Sequence, residues 1–190
     1  MSAEPHIHLW TRSEYYKMAE IGLFHQKRVE LIEGQVIEMG PMGSLHATGV
    51  TLAGRTLERV FGQNYFVRWQ MPFDAGEISE PEPDIAIIFG DIRDYKEEHP
   101  TKAVLLVEIA DTSLEYDRKT KGSLYAKAGI LDYWIINLEN HQLEVYRKPV
   151  IDLKQAYGYA YSEKAIFKVS DFITPLAMQQ TVIAVAELLP

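Results

Sequence analysis

The sequence predicts a mixed α+β fold, a central β-sheet flanked by helices, and three observations carry that expectation. Two apolar runs, at 85–89 and 103–107, are too short for a typical helix and too continuous for half-exposed strands, so both read as central strands covered on two faces. Two segments, 45–61 and 116–128, repeat apolar residues at helical spacing. Two further pairs of strand-like runs are each split by a short turn.

Taken in order, Thr11-Arg12-Ser13-Glu14 has the form of a capping box and predicts a short helix ending near Gly22. Residues 29–32 and 35–39 flank Glu33-Gly34 and predict a tight hairpin. Ser44 is the expected N-cap of the next helix, with Leu45, Leu52, Ala53, Thr56, Leu57 and Val60 forming its apolar stripe. Tyr65 to Trp69 reads as a strand. Residues 72–83 hold three prolines and a glycine, so they read as a loop. The helix at 116–128 should stop at Gly129, in the place of a C-terminal glycine cap. Residues 133–137 and 142–146 read as a second hairpin. Strands near 157–168 and a last helical turn near 181–188 complete the chain.

The 190 residues suit one domain, 1–190, with no repeat, low-complexity tract or linker to divide it. Hydrophobic residues make up 47% of the chain, enough for a sizeable core. No apolar run approaches the ~18–20 residues of a membrane span, and the start of the chain lacks the basic and apolar regions of a signal peptide. The absence of cysteine excludes disulfides, thiolate metal sites and cysteine nucleophiles, and fits a cytoplasmic location. The formal charge of −8 argues against a broad nucleic-acid-binding surface, since phosphate affinity comes largely from Lys and Arg. A cation held by carboxylates would reverse that sign locally.

Asp84 directly precedes one buried run, and Glu108 ends the other. A carboxylate on an apolar strand is expensive to bury without a positive neighbour, and two on adjacent strands repel unless a cation intervenes. Such oxygen ligands suit Mg²⁺ or Mn²⁺; solvated strand-end acids are the alternative. The predicted helix adds a third group. Asp117, Lys121, Leu124, Tyr125 and Ala128 share one face, so Lys121 continues the inward stripe, while Lys119 falls on the solvent side. Lys121 thus needs an anion, either as a structural ion pair with Glu108 or Asp117 or as a group near metal and phosphate. Asp117 reads as a helix cap or a residue orienting Lys121. Tyr125, Tyr133 and Trp134 read as core. His46 at a helix start is a candidate base, or else a cap or packing residue, whereas His6 and His8 carry no signal.

Together these segments resemble the Uma family of restriction endonuclease-like proteins, earlier catalogued as a domain of unknown function. The resemblance runs from about 28 to 175. It rests on Val29-Glu30-Leu31-Ile32-Glu33-Gly34, His46, Pro83-Asp84-Ile85-Ala86, Leu106-Val107-Glu108-Ile109, Asp117 through Lys121, Tyr125 through Ile130, and Asp132 through Ile136. It implies a PD-(D/E)XK nuclease-like fold, with Asp84, Glu108 and a lysine around a divalent metal, Mg²⁺ or Mn²⁺, and DNA as substrate. The lysine usually found two positions after the glutamate is replaced by Ala110, and the resemblance places it at Lys121. Glu30 matches the additional acid of many such sites, whereas Gln35 stands where the family often has an acid.

Three functions follow as expectations. The first is a metal-dependent endonuclease, acting as a homodimer because restriction-type sites are two-fold symmetric. The second is a catalytically inactive binding or assembly protein that keeps the fold. The third is a toxin-like or transposon-associated protein acting on RNA.

Overall fold

The computed structural model describes residues 4–190. The stretch read above as lacking a signal peptide includes residues 1–3, which lie outside the described residues. Helix α1 (Arg12–Glu20) carries the expected capping box: Thr11 and Glu14 bond reciprocally through side chain and backbone. Strands β1 (Val29–Ile32) and β2 (Gln35–Glu38) form the first hairpin, with Glu33 and Gly34 both at positive φ in its turn. Helix α2 (Ser44–Phe61) follows, and then β3 (Tyr65–Trp69) and β4 (Ile85–Phe89), joined by an irregular loop.

Strand β5 (Leu105–Ala110) leads into helix α3, spanning 114–127, which passes through a π-helical turn at Asp117–Lys121. Its end is a Schellman motif. The Gly129 N–H bonds the Ala126 carbonyl and the Ile130 N–H bonds the Tyr125 carbonyl, with Gly129 at φ +77°. Strands β6 (Asp132–Asn137), β7 (Gln142–Ile151) and β8 (Tyr159–Lys168) complete the main sheet. Two short strands, β9 (Phe172–Ile173) and β10 (Ile183–Ala184), pair with each other near the C-terminus; the sequence reading did not anticipate them.

The six strands β3 to β8 lie in sequence order. Every neighbouring pair is antiparallel except β5 and β6, which are parallel and joined by α3. A parallel pair needs a crossover, and α3 is that crossover. The mixed sheet flanked by helices is the expected fold class.

Side-chain alternation sends each central strand into two cores. Ile85, Ile87, Leu105, Val107, Trp134 and Ile136 pack toward α2. Ala86, Ile88, Leu106, Tyr133 and Ile135 pack toward Leu124 and Tyr125 of α3. Both faces are covered, which is why 85–89 and 103–107 read as unbroken apolar runs.

Two expectations for α2 need correction. Gly43, not Ser44, is its N-cap, and no side chain caps it. The buried face is Gly49, Val50, Ala53, Gly54, Thr56, Leu57 and Phe61, leaving Leu45 and Leu52 exposed. Periodicity counts glycine as a gap, yet here glycine makes the contact. A Cβ on Gly54 would overlap the Trp69 indole, so the helix can lie this close to β3 only without one. Gly54→Leu is therefore expected to cost about 1–3 kcal/mol through overpacking, read as a lowered midpoint in thermal or urea unfolding.

Candidate active site

Asp84 and Glu108 meet where β4 and β5 part. The backbone ladder between these strands ends at the Ile85–Val107 pair. One residue further the two carboxylates replace it. Glu108 Oε2 accepts the Asp84 N–H at 3.2 Å, and Asp84 Oδ2 accepts the Ile109 N–H at 2.8 Å. Each acid is thus tied to the strand that carries the other. Glu108 lies inside β5, not at its end as the apolar run implied, because pairing with β6 continues to Ala110.

The second oxygen of Asp84 binds His46 Nε2 at 3.0 Å and accepts the Gln70 side-chain amide at 2.9 Å. Gln70 has φ +50°, and its own N–H donates to the Asp84 carbonyl at 3.2 Å. A non-glycine residue held there costs of order 1–3 kcal/mol and persists only when its surroundings over-determine it. Two bonds to Asp84 do so here.

Lys121 comes from the opposite side. The π turn bonds the Gly122 N–H to the Asp117 carbonyl, five residues back. That widened turn leaves both Asp117 and Lys121 buried, and such π turns are frequent at functional sites. Lys121 Nζ lies 3.0 Å from Glu108 Oε1 and 3.2 Å from Glu30 Oε1. Asp117 is not the helix cap: Ser113 holds that position, and the Ser113 hydroxyl donates to Asp117 Oδ2 at 2.5 Å. Glu30 is fully buried on β1, and among the described residues its Oε2 has no hydrogen-bond partner.

Glu30, His46, Asp84, Glu108, Asp117 and Lys121 thus face one cavity of about 160 Å³ at the strand ends. The structure brings all six together. Lys119, by contrast, is exposed and pairs with Glu115.

Burial raises Glu108 above the usual carboxylate range, outweighing the attraction of Lys121. Burial raises Asp117 as well, against Lys121 and Ser113. Burial alone would depress Lys121, but Glu108, Glu30, Asp117 and Asp84 lift it well above its ordinary value, so it stays an ammonium. Burial also pushes Asp84 upward, yet His46, Gln70 and the Ile109 N–H hold it below its ordinary value. His46 is raised in turn by its bond to Asp84. Carboxylates outnumber basic side chains, because Glu82 and Asp111 also line the cavity while, among the described residues, Arg28 is the remaining basic one there.

Among the described residues no three His, Asp or Glu side chains form a ready-made metal cage. The donor set is still all hard oxygen, and it includes the unpartnered Glu30 Oε2. Mg²⁺ typically takes one or two carboxylates and fills its remaining positions with water and phosphate, so this set fits such an ion.

Two supporting residues escaped the sequence reading. Tyr125 packs in the core as expected, but its hydroxyl also donates to Glu108 Oε1 at 2.6 Å. Its place four residues after Lys121 on the inward face was the available signal. Gln70 had none, since its role depends on a loop returning to the strand end.

Residues 12–185 match the Uma2 family model, described as "Putative restriction endonuclease". Among solved structures, a protein from Anabaena variabilis ATCC 29413 described as "a putative nuclease belonging to DUF820" aligns with a TM-score of 0.71 at 16% identity, over 94% of this chain and 96% of that chain. At that identity the likeness is one of fold. No curated protein matches. The family match spans nearly the whole chain and extends past the expected 28–175 on both sides, and by it this chain belongs to the Uma2 family.

Proposed function

We propose that this protein is a metal-dependent nuclease, a hydrolase of phosphodiester bonds in DNA, acting through Asp84, Glu108, Glu30 and Lys121. One observation carries the reading: among the described residues a buried carboxylate oxygen, Glu30 Oε2, has no hydrogen-bond partner, and it lines the same cavity as Lys121, Glu108 and Asp84. A buried acceptor left unsatisfied is costly, and in a polar cavity a cation or its water would satisfy it. Asp84 and Glu108, with Glu30, would hold Mg²⁺ or Mn²⁺. The bound ion would supply Lewis acidity toward phosphate and a more acidic water.

The chain's own groups do the rest. Lys121, charged and held by two acids, counters negative charge developing on phosphate oxygens. His46, fixed by Asp84, is an accessory group placed to exchange a proton at the cavity mouth. Asp117 supports the charge state of Lys121. The chain is read as a single cytoplasmic domain working as a homodimer on two-fold symmetric sites. Among the described residues no helix is long and apolar enough to cross a membrane. The closed Lys121–Glu30–Glu108 pairing favours the second reading, a structural network in an inactive binding protein.

Plasmid cleavage separates the two. Wild-type protein with Mg²⁺ or Mn²⁺ is expected to nick supercoiled plasmid and to lose that activity in EDTA. Asp84→Ala is expected to be about 10²–10³-fold slower. Equal cutting by Asp84→Ala would discard the mechanism. No cutting by any protein, with no Mn²⁺ uptake in calorimetry, would favour the inactive protein.

A further inference from the structure

The proposed site must accept a polyanion into a cavity rich in carboxylates, and among the described residues two of the three basic side chains that line it are already engaged. Lys121 is buried between Glu30 and Glu108, and His46 is bound to Asp84. The third is Arg28. It stands just before β1, two residues from Glu30, and its carbonyl accepts the Met39 N–H, which continues the β1–β2 pairing by one step. In an extended segment residues i and i+2 share a face, so Arg28 projects on the same side as Glu30. At about 3.3 Å per residue it sits roughly 7 Å further along, at the rim of the cavity that Glu30 lines at its base.

Its bonding leaves it available. The Arg28 side chain is 35% exposed, and Nε reaches Glu82 Oε2 at 3.3 Å, a long contact for an ion pair. A guanidinium has five N–H donors in a planar fork. Among the described residues its one side-chain hydrogen bond is made by Nε, and neither terminal nitrogen makes one. Glu82 is itself two residues from Asp84 and lines the same cavity. The rim pair, Arg28 and Glu82, therefore stands beside the Glu30 and Asp84 pair at the base.

We propose that Arg28 is a phosphate-binding residue: its free fork takes a backbone phosphate next to the one at the Asp84–Glu108 centre, and Glu82 holds it in place when no substrate is bound. Arg suits this task because its fork matches two phosphate oxygens at once. The substrate class is a phosphodiester backbone, whether of DNA or RNA. The inference rests on the nuclease reading and adds a binding residue to it.

The test is binding, not cleavage. Fluorescence anisotropy would follow a labelled 20-base-pair DNA duplex and a labelled 20-nucleotide RNA in Ca²⁺ across a salt series, with strand integrity checked on a denaturing gel. Arg28→Gln is expected to weaken binding of the preferred probe about tenfold and to lower the slope of log affinity against log salt by about one. Arg28→Lys should keep the slope and lose part of the affinity. Glu82→Gln, which removes a negative charge beside the fork, should bind the probe more tightly. Should Arg28→Gln unfold, Arg28→Lys and Glu82→Gln decide alone. Unchanged affinity and slope in Arg28→Gln, or weakened or unchanged binding in Glu82→Gln, would overturn the role of Arg28 and leave the nuclease reading standing. If the wild type binds neither probe, both fall together.

Discussion

Lys121→Met is expected to lower phosphodiester cleavage by about 10²–10³-fold, the scale of removing one group that stabilises developing charge. The same change should also destabilise the fold. Lys121 is 2% exposed and pairs with both Glu30 and Glu108. Removing one partner of a buried pair typically costs about 3–5 kcal/mol, because the remaining charge has nothing to offset its desolvation. Here two carboxylates are left behind, one of which, Glu108, burial already pushes toward its neutral form. Protonation of that acid should bring the loss toward the lower end of the range.

The two effects are separable. Activity is measured well below the unfolding midpoint, and stability by urea unfolding. Replacing Glu108 by Leu in the same chain removes one orphaned acid and should recover part of the stability, but none of the cleavage. Full cleavage by Lys121→Met would remove the lysine from the mechanism. An unchanged urea midpoint would show that the network contributes nothing to the fold.

The second large effect lies away from the site. Glu144 on β7 is fully buried, yet it gathers charge from several directions. Arg118 bonds both its oxygens, Lys164 reaches Oε2 at 3.1 Å, Asn137 donates to Oε1 at 3.0 Å and Tyr146 to Oε2 at 2.7 Å. Glu144→Ala is expected to cost about 3 kcal/mol. The upper end of the range is not reached, because Arg118 and Lys164 are partly exposed and can turn to water.

The pH dependence follows from the direction of the shift. Burial pushes Glu144 upward, but Arg118, Asn137, Tyr146 and Lys164 outweigh it and hold it far below the ordinary value. A group depressed in the folded state binds its proton more readily when unfolded. Its contribution is complete above the unfolded pKa of about 4.3 and is lost as pH falls toward the folded value. Wild-type stability should therefore drop below about pH 4, with up to about 1.4 kcal/mol per pH unit from this residue. Glu144→Ala should show a shallower acid limb. Equal acid slopes in the two proteins would refute the assignment.

Both predictions rest on contacts that differ in how far they could be read from the chain alone. The inward direction of Lys121 came from the i, i+4 stripe with Leu124 and Tyr125, because a helix repeats its faces locally. The π turn that buries Asp117 beside it left no mark in the pattern. The bond to Glu30 spans 91 residues, and no local period reports it. Glu144 read as one member of a strand, since Arg118, Asn137 and Lys164 reach it from α3, β6 and β8.

What the amino-acid order determined by itself was the set of elements and the sides they present. Doubly covered strands, a capped first helix, a glycine-stopped third helix and an inward lysine all follow from periods of two and about 3.6 residues and from backbone preferences, which act over a few positions. The tertiary structure alone decided which groups meet: strand order and register set Asp84 opposite Glu108, brought Gln70 and His46 to Asp84, and laid Arg28 and Glu82 along the rim. Those meetings depend on how distant segments pack, and packing is a property of the whole chain.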